Sequence, residues 1–569
     1  MSTEAEATNP VKKDLKILLS GRPVADYQPT AEEVAAHKAR TNDKLLFRFP
    51  PEPNGFLHIG HAKSMNLNFG SALANGGQCY LRYDDTNPAT EDVQFTAAIE
   101  EMARWMGWKP WKVTYSSDYF QELYDLAIKL IKDGNAYVCH STAAEVKKQR
   151  EDRTNSPFRD RSIEENLREF EKMRTGRYAE SEATLRVKCD MQHDNPNMRD
   201  FIAYRVVYHP HHHVGDKWCI YPSYDFTHCI VDSLEDIDFS LCTLEFETRR
   251  ESYFWLLHVL GMWKPNVWEF SRLNVTGSLL SKRKINTLVR RGVVRGFDDP
   301  RLLTLAGMRR RGYTPEAINK FCDLVGITRS NNVISIKMLE NSLREDLDEK
   351  CPRRQLVANP IKLVIDNWPT GETKTYKCPE HPRKPELGDR DVEMCGEIYI
   401  DRSDFHEVDD NTKFYGIAPG PRPVGLKYGG NVYCKSFEKD ASGNPTVIHC
   451  DIDFDRKEKP KTNITWVSCH KAVGAECRQY SYLLNDDQAA IADDFMQYVN
   501  TSSETITQGF VEAAVKSNTV FDKFQAERFG YYVVDSDTTP DHLVLNCIIS
   551  LKEDKEKVAA PPRVSNKKK

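Results

Sequence analysis

Residues 48–66 read RFPPEPNGFLHIGHAKSMN. Two histidines, His58 and His61, flank Gly60 at the end of a proline- and glycine-containing loop. What precedes and follows the loop decides its meaning. KLLFRF (Lys44–Phe49) alternates as a strand, which predicts Leu45, Phe47 and Phe49 on one face. Ala62, Met65, Phe69 and Leu73 then recur at helical spacing, and Asn75-Gly76-Gly77 supplies a stop. QCYLRYDD, from Gln78, is a second strand pattern. Strand, loop, helix and strand in this order open a doubly wound α/β sheet.

A loop after the first strand of such a sheet faces the binding crevice, and the following helix aims its free N–H groups there. This loop is neither a G-x-G-x-x-G fingerprint nor a Walker loop, so a dinucleotide or P-loop triphosphate is not expected. His58 and His61 fall on one side of the first helical turn, and Gly60 leaves the backbone open to a ligand. Two imidazoles so placed suit the stabilisation of a phosphoryl transition state by position and charge. Far downstream, SKRK (Ser281–Lys284) offers a second phosphate element. By itself it reads as a solvated basic patch. Paired with the histidine loop, it describes a nucleotidyl-transfer site that closes on the pyrophosphate side of ATP.

The chain has 569 residues, enough for several domains, and a net charge of −5 that excludes a uniformly basic nucleic-acid coat. No apolar run approaches the ~20 residues of a membrane helix, and the polar start lacks a signal-peptide core, so a cytoplasmic protein is expected. The 15 cysteines include no C-x-x-C pair and read as reduced, mostly buried thiols. HPHHH (His209–His213) reads as a solvated loop, and no metal site is expected. DDTNPATED from Asp84 opens a helix, with Asn87-Pro88 as its cap and first turn. Residues from 351 to about 551 alternate in short strands with Pro/Gly turns, as around Ser442–Asn444, and predict β-barrels.

PEPNGFLHIGHAKS and LSKRK resemble the two signature motifs of class I aminoacyl-tRNA synthetases. The resemblance is to the glutaminyl members in particular, through LRYDDTNPATED, SSDYF, KWCIYPSYDFTHC, SLCTLEF, EFSRLN, DDPRLLTL and FDKFQAERFGYY. The resemblance implies an α/β fold: a split Rossmann catalytic domain with an inserted acceptor-binding domain, a helical connecting domain and two C-terminal antiparallel β-barrels. The expected boundaries are 1–43 for an N-terminal extension, 44–118 and 222–272 for the catalytic domain, and 119–221 for the insertion. The helical domain spans 273–350, the proximal barrel 351–362 and 469–551, the distal barrel 363–468, and a basic tail 552–569.

The resemblance also implies the chemistry: glutamine is activated by ATP, with Mg2+, and passed to the 2′-OH of the terminal adenosine of tRNA(Gln). Glu52, Pro53, Asn54, the segment His58, Ile59, Gly60, His61, Ala62, Lys63, Ser64, then Thr243, Arg272, Leu273, Leu280, Ser281 and Lys282 would surround ATP. His58, His61 and Lys282 would stabilise the transition state. Leu280 stands where the family motif has Met. A monomer is expected.

Glutamate enzymes share this scaffold, so the pocket decides the amino acid. The resemblance puts Asp84 at the substrate ammonium, Arg48 at its carboxylate and Tyr224 at the side-chain amide. Related glutamate enzymes carry an arginine at the position of Cys242; a neutral cysteine would leave a γ-carboxylate buried without a partner. Val267 points the other way, since glutaminyl members usually have Gln there. A glutamate–tRNA ligase, or a dual enzyme, is therefore the alternative; a non-catalytic tRNA-binding protein is a distant one. Arg353, Gln525 and Arg528 match the family's anticodon contacts, and their forks and amides suit base edges.

Overall fold

The computed structural model describes residues 27–409, 414–485, 492 and 494–552, together with Leu15 and Leu18. Residues 553–569 of the expected tail, and most of those before Tyr27, lie outside that set. The chain forms two compact units: Met1–Thr276 with Thr304–Ala306 and Ile318–Ile334, and the remainder.

The first unit begins with helix α1 (Ala31–Thr41), capped by Thr30 and Glu33 in a reciprocal pair. Strand β1 (Leu46–Phe49) leads through the histidine loop into α2 (Ile59–Ala74), and β2 (Gln78–Tyr83) follows. Next come α3 (Val93–Trp105) and β3 (Val113–Tyr115). After the insertion the chain returns through α7 (Tyr224–Leu234), β8 (Phe239–Thr243), α8 (Arg250–Leu260) and β9 (Asn266–Phe270). The sheet order is β3-β2-β1-β8-β9, and every pairing in it is parallel. The strand order reverses between β1 and β8, so the crevice opens beyond the carboxyl ends of those two strands.

Two sequence expectations need correction here. All four residues of β1 are buried, not alternate ones. A central parallel strand is covered on both faces, so it has no solvent face to alternate towards. Helix α3 starts at Val93 with Asp92 as its cap, its carboxylate accepting the Gln94 N–H at 2.9 Å. Asn87-Pro88 instead belongs to a turn, closed by the Thr90 N–H donating to the Asn87 carbonyl at 3.1 Å.

The insertion is a four-stranded antiparallel sheet, β4 (Ala136–Cys139), β5 (Thr184–Val187), β6 (Ile202–Val206) and β7 (Ile220–Pro222), in that order. It carries helices α4 (Phe120–Lys132), α5 (Ala143–Asp152) and α6 (Ile163–Arg174). Phe170, Tyr204, Phe226 and Leu257 share one core, so the insertion and the end of the catalytic sheet pack as one body.

The second unit holds two seven-stranded, nearly closed β-barrels. One is built around buried Phe524, Tyr532 and Leu545, the other around Trp466, Ile448 and Ile400. Rolling each sheet nearly closed leaves only end strands of two or three residues as edges. The hairpin of Asn431–Lys439 with Pro445–Asp453 buries Ile448, Cys450 and Ile452 in alternation, as their spacing predicts. All 15 cysteines are unbridged.

Candidate active site

The histidine loop fixes its own protons. His58 is the N-cap of α2, and its Nδ1 accepts the Gly60 N–H at 3.1 Å. The Nδ1 of His61 accepts the His58 N–H at 3.1 Å. A ring nitrogen that accepts from an amide is bare, so each neutral imidazole carries its proton on Nε2. The rings lie 4.0 Å apart. Burial, with Arg272 nearby, pushes His58 down to about 4 and His61 well below its ordinary value. Two neutral Nε2–H donors therefore stand at a helix N-terminus, where anions are favoured. Gly60 is required: a Cβ there would lie 2.8 Å from the His58 ring.

The rest of the segment divides by helix face. Ile59 and Ala62 are fully buried in the core. Lys63 is buried too, and its Nζ donates to the Ser271 carbonyl at 3.0 Å, so it ties α2 to the end of β9. Ser64 is half-buried, Pro53 buried and Glu52 exposed, and the Asn54 amide donates to Glu52 at 2.6 Å. At the crevice rim, Thr243 ends β8, Leu273 is buried, and exposed Arg272 pairs with Glu245. Leu280, Ser281 and Lys282 belong to the second unit, where Ser281 precedes helix α9 (Lys282–Arg290). That helix buries Ile285 and Leu288 against Leu483 and Phe495, and Lys284 donates to the Ala492 carbonyl at 2.8 Å.

Beneath the crevice lies a buried charge network. Arg48 is fully buried. Its Nε donates to Asp232 Oδ1 at 2.9 Å, Nη1 to the Leu241 carbonyl at 3.0 Å, and Nη2 to Ser240 Oγ at 2.9 Å and His228 Nε2 at 2.8 Å. Arg82 reaches the same Asp232 at 2.7 Å and Glu235 at 3.0 Å. Tyr253 donates to Asp232 at 2.9 Å. Burial alone would raise the Asp232 carboxyl, but Arg48 and Arg82 hold it far below the carboxylate range. His228 accepts from Arg48 and is pushed down to about 3 by burial, so it is neutral.

Cys242 sits on this floor, its Sγ 3.6 Å from Arg48 Nη2 and 3.7 Å from His228 Nε2. Tyr224, at the start of α7, stacks on His228 with centroids 5.0 Å apart. Asp84 is buried at the end of β2 and accepts from Arg82 at 3.3 Å and Ser116 at 3.2 Å. The network thus gathers Arg48, Asp84, Tyr224 and Cys242 from four separate elements. Val267 is packed among Phe254 and Leu257. Sequence reading missed Arg82, Asp232, Ser240 and Tyr253. The signal available was an arginine and an aspartate inside otherwise apolar strand and helix runs.

The solvated-loop reading of HPHHH is also corrected: His211 is buried. Asp85, His211 and His212 converge. Yet His211 Nδ1 accepts the His213 N–H at 3.1 Å, and Nε2 donates to the Asp85 carbonyl at 2.7 Å. Both ring nitrogens of His211 are in use, which leaves that ring no lone pair for a metal.

In the second unit, Arg353 and Gln525 are register partners in a parallel ladder. Arg353 donates to Asp348 at 2.7 Å, Gln525 to the Tyr531 hydroxyl at 3.0 Å, and Arg528 to both oxygens of Asp404.

The doubly wound parallel sheet thus carries two imidazole donors at its first helix start, with a buried charge network on its central strands. Residues 44–349 match the catalytic domain described as "tRNA synthetases class I (E and Q)". Residues 351–453 and 463–535 match the anti-codon binding domain of the same group. The chain belongs to the class I tRNA synthetases of the E and Q group. It is 49% identical to the Dictyostelium discoideum "Probable glutamine--tRNA ligase", over 96% of this chain and 70% of that protein. It is 48% identical to the cytoplasmic glutamine--tRNA ligase of Arabidopsis thaliana, over 92% and 67%. With the glutamine--tRNA ligase of Salmonella heidelberg it shares 46% identity, over 92% of this chain and 96% of the other. Among the described residues, no helix is long and apolar enough to cross a membrane.

Proposed function

We propose that this chain is a glutamine–tRNA ligase, which converts glutamine and ATP to glutaminyl-adenylate and pyrophosphate and then passes the glutaminyl group to the 2′-OH of the terminal adenosine of tRNA(Gln). The observation that supports this reading is the buried charge network around Cys242. The cation that touches Cys242 is Arg48, and Asp232 already neutralises it. A γ-carboxylate placed there would be buried without a free countercharge, at a cost of several kcal/mol, while a neutral amide avoids the penalty.

In the activation step the glutamine carboxylate attacks the α-phosphorus of ATP, and pyrophosphate leaves. His58 and His61 donate Nε2–H to the phosphate oxygens as charge builds, in a proton state that does not change with ordinary pH. Lys282 draws off the charge of the leaving pyrophosphate. Mg2+ enters with ATP as part of that substrate. Asp84 receives the ammonium and Tyr224 the side-chain amide. Arg48 acts from within: it fixes His228 and Cys242 rather than reaching outward. In the transfer step the terminal 2′-OH attacks the glutaminyl carbonyl and AMP leaves.

Aminoacylation of purified glutamine and glutamate tRNAs, each offered labelled glutamine or glutamate, tests the reading. Glutamine charged onto its own tRNA supports it. Charging with glutamate would shift weight to Val267 and change the assignment. Charging with neither amino acid would remove the enzyme reading altogether.

A further inference from the structure

The basic side chains expected at the anticodon are not bare cations. Arg353 is held by Asp348, and elsewhere in the barrels Arg422 is held by Asp409 at 2.9 Å and Lys427 by Glu527. Arg528 has the most symmetrical partner. Its Nη1 donates to Asp404 Oδ2 and its Nη2 to Asp404 Oδ1, both at 2.7 Å. Asp404 closes a short helical turn after the strand Glu397–Asp401 of one barrel. Arg528 lies in the turn between Lys523–Ala526 and Gly530–Val534 of the other. The carboxylate is buried, whereas the arginine side chain is 34% exposed. Each end is also fixed through its backbone. The Asp404 carbonyl accepts the Ile417 N–H at 2.7 Å. Arg528 has φ +73°, a left-handed conformation that an arginine adopts only where its surroundings hold it.

We propose, resting on the anticodon reading of Arg528, that Asp404 is a positioning residue that sets anticodon discrimination. A carboxylate that grips both terminal nitrogens fixes the guanidinium plane. It takes one N–H from each, and the remaining N–H groups point outward in that plane. Directed donors of this kind read base edges, while loose positive charge attracts any phosphate. The carboxylate also offsets the charge of Arg528, so sequence-blind attraction is weakened. Asp404 therefore converts a general RNA-binding cation into a directional reader. The pair of Arg353 with Asp348 repeats the device at a second expected anticodon contact.

The test uses the full chain with Asp404→Asn, which keeps shape and removes charge. Aminoacylation kcat/KM is measured for tRNA(Gln) and for transcripts with each anticodon base replaced singly. The expected result is a loss of at least about tenfold in the ratio of cognate to substituted tRNA, about the worth of one well-directed base contact. Binding should also become more salt-dependent, and Asp404→Glu should restore part of the ratio. A merely structural pair would lower all tRNAs alike. Arg528→Ala is run in parallel. If it leaves the ratios unchanged, the anticodon reading of Arg528 fails and the proposal falls with it. If it changes them and Asp404→Asn does not, only the proposal is overturned. Should Asp404→Asn fail to fold, Arg528→Lys keeps the charge without the fork and must show the same loss of discrimination.

Discussion

Arg48 and Asp232 are both completely buried and meet at 2.9 Å beneath the crevice, one on the first strand and the other on α7. Arg82 reaches the same carboxylate as well as Glu235 and Asp84, so Asp232 is shared between two guanidinium groups. Asp232→Asn takes away the carboxylate on Arg48, while Arg82 keeps Glu235 and Asp84. Breaking a buried pair from one side costs about 3–5 kcal/mol. Urea unfolding of the variant should show a loss of that size, and a change under about 1 kcal/mol would mean the network relaxes freely.

Cys242→Arg puts a third guanidinium next to Arg48. The substrate's γ-carboxylate then becomes its best partner. We expect kcat/KM to move from glutamine towards glutamate by at least about tenfold, set against a penalty of about 3–5 kcal/mol for an unpaired buried charge. Competition between the two labelled amino acids measures the ratio. No movement would remove Cys242 from amino-acid choice.

The proton position on His58 predicts a difference between two amides. Gln carries an N–H near the Nε2 position, and Asn does not reach it. His58→Gln should keep much of the activity, while His58→Asn should lose about 10²–10³ in kcat, as for removal of an oxyanion donor. Asn is itself a strong N-cap and keeps the start of α2, whereas Gln gives the cap up at about 1 kcal/mol, so a greater loss of activity in His58→Gln would point to the cap and not the donor.

Two sets of histidines respond to pH with opposite signs. Burial lowers His58 and His211 to about 4 and His228 to about 3, from an ordinary 6.5. The unfolded chain binds these protons first, so stability falls as pH drops from about 6.5 towards about 4. His37 goes the other way: burial lowers it, but hydrogen bonds to Asp236 and Asp238 outweigh that and raise it overall. Its contribution is complete below its unfolded value and is lost as pH rises through the raised one. Hydrogen exchange should therefore show α1 less protected on the alkaline side in the wild type. His37→Gln should flatten that dependence.

Local order was legible where one pattern governs one element. Asn75-Gly76-Gly77 ends α2, with Gly76 at φ +66°, and the alternation at Ile448 gives a barrel strand. The loop at His58 was legible because helix-start chemistry is local. Arg48 was not, because its partners Asp232, Ser240 and Leu241 lie more than 180 positions away. His211 failed for the same reason: its burial depends on Asp85, which no local spacing connects to it. Polar runs suggest solvent until tertiary structure supplies a partner.

Asp238 holds two things together: Oδ1 meets His37 of α1 at 2.9 Å, and Oδ2 accepts the Leu46 N–H at 2.7 Å. The His37 ring also lies flat on Trp263, with centroids 3.7 Å apart. For protein engineering, this moves the safe cutting point. A fusion or truncation joined at Lys44 would strip a strand-anchoring carboxylate of its partner, whereas one joined ahead of Thr30 keeps helix and strand fastened as a single exchangeable part.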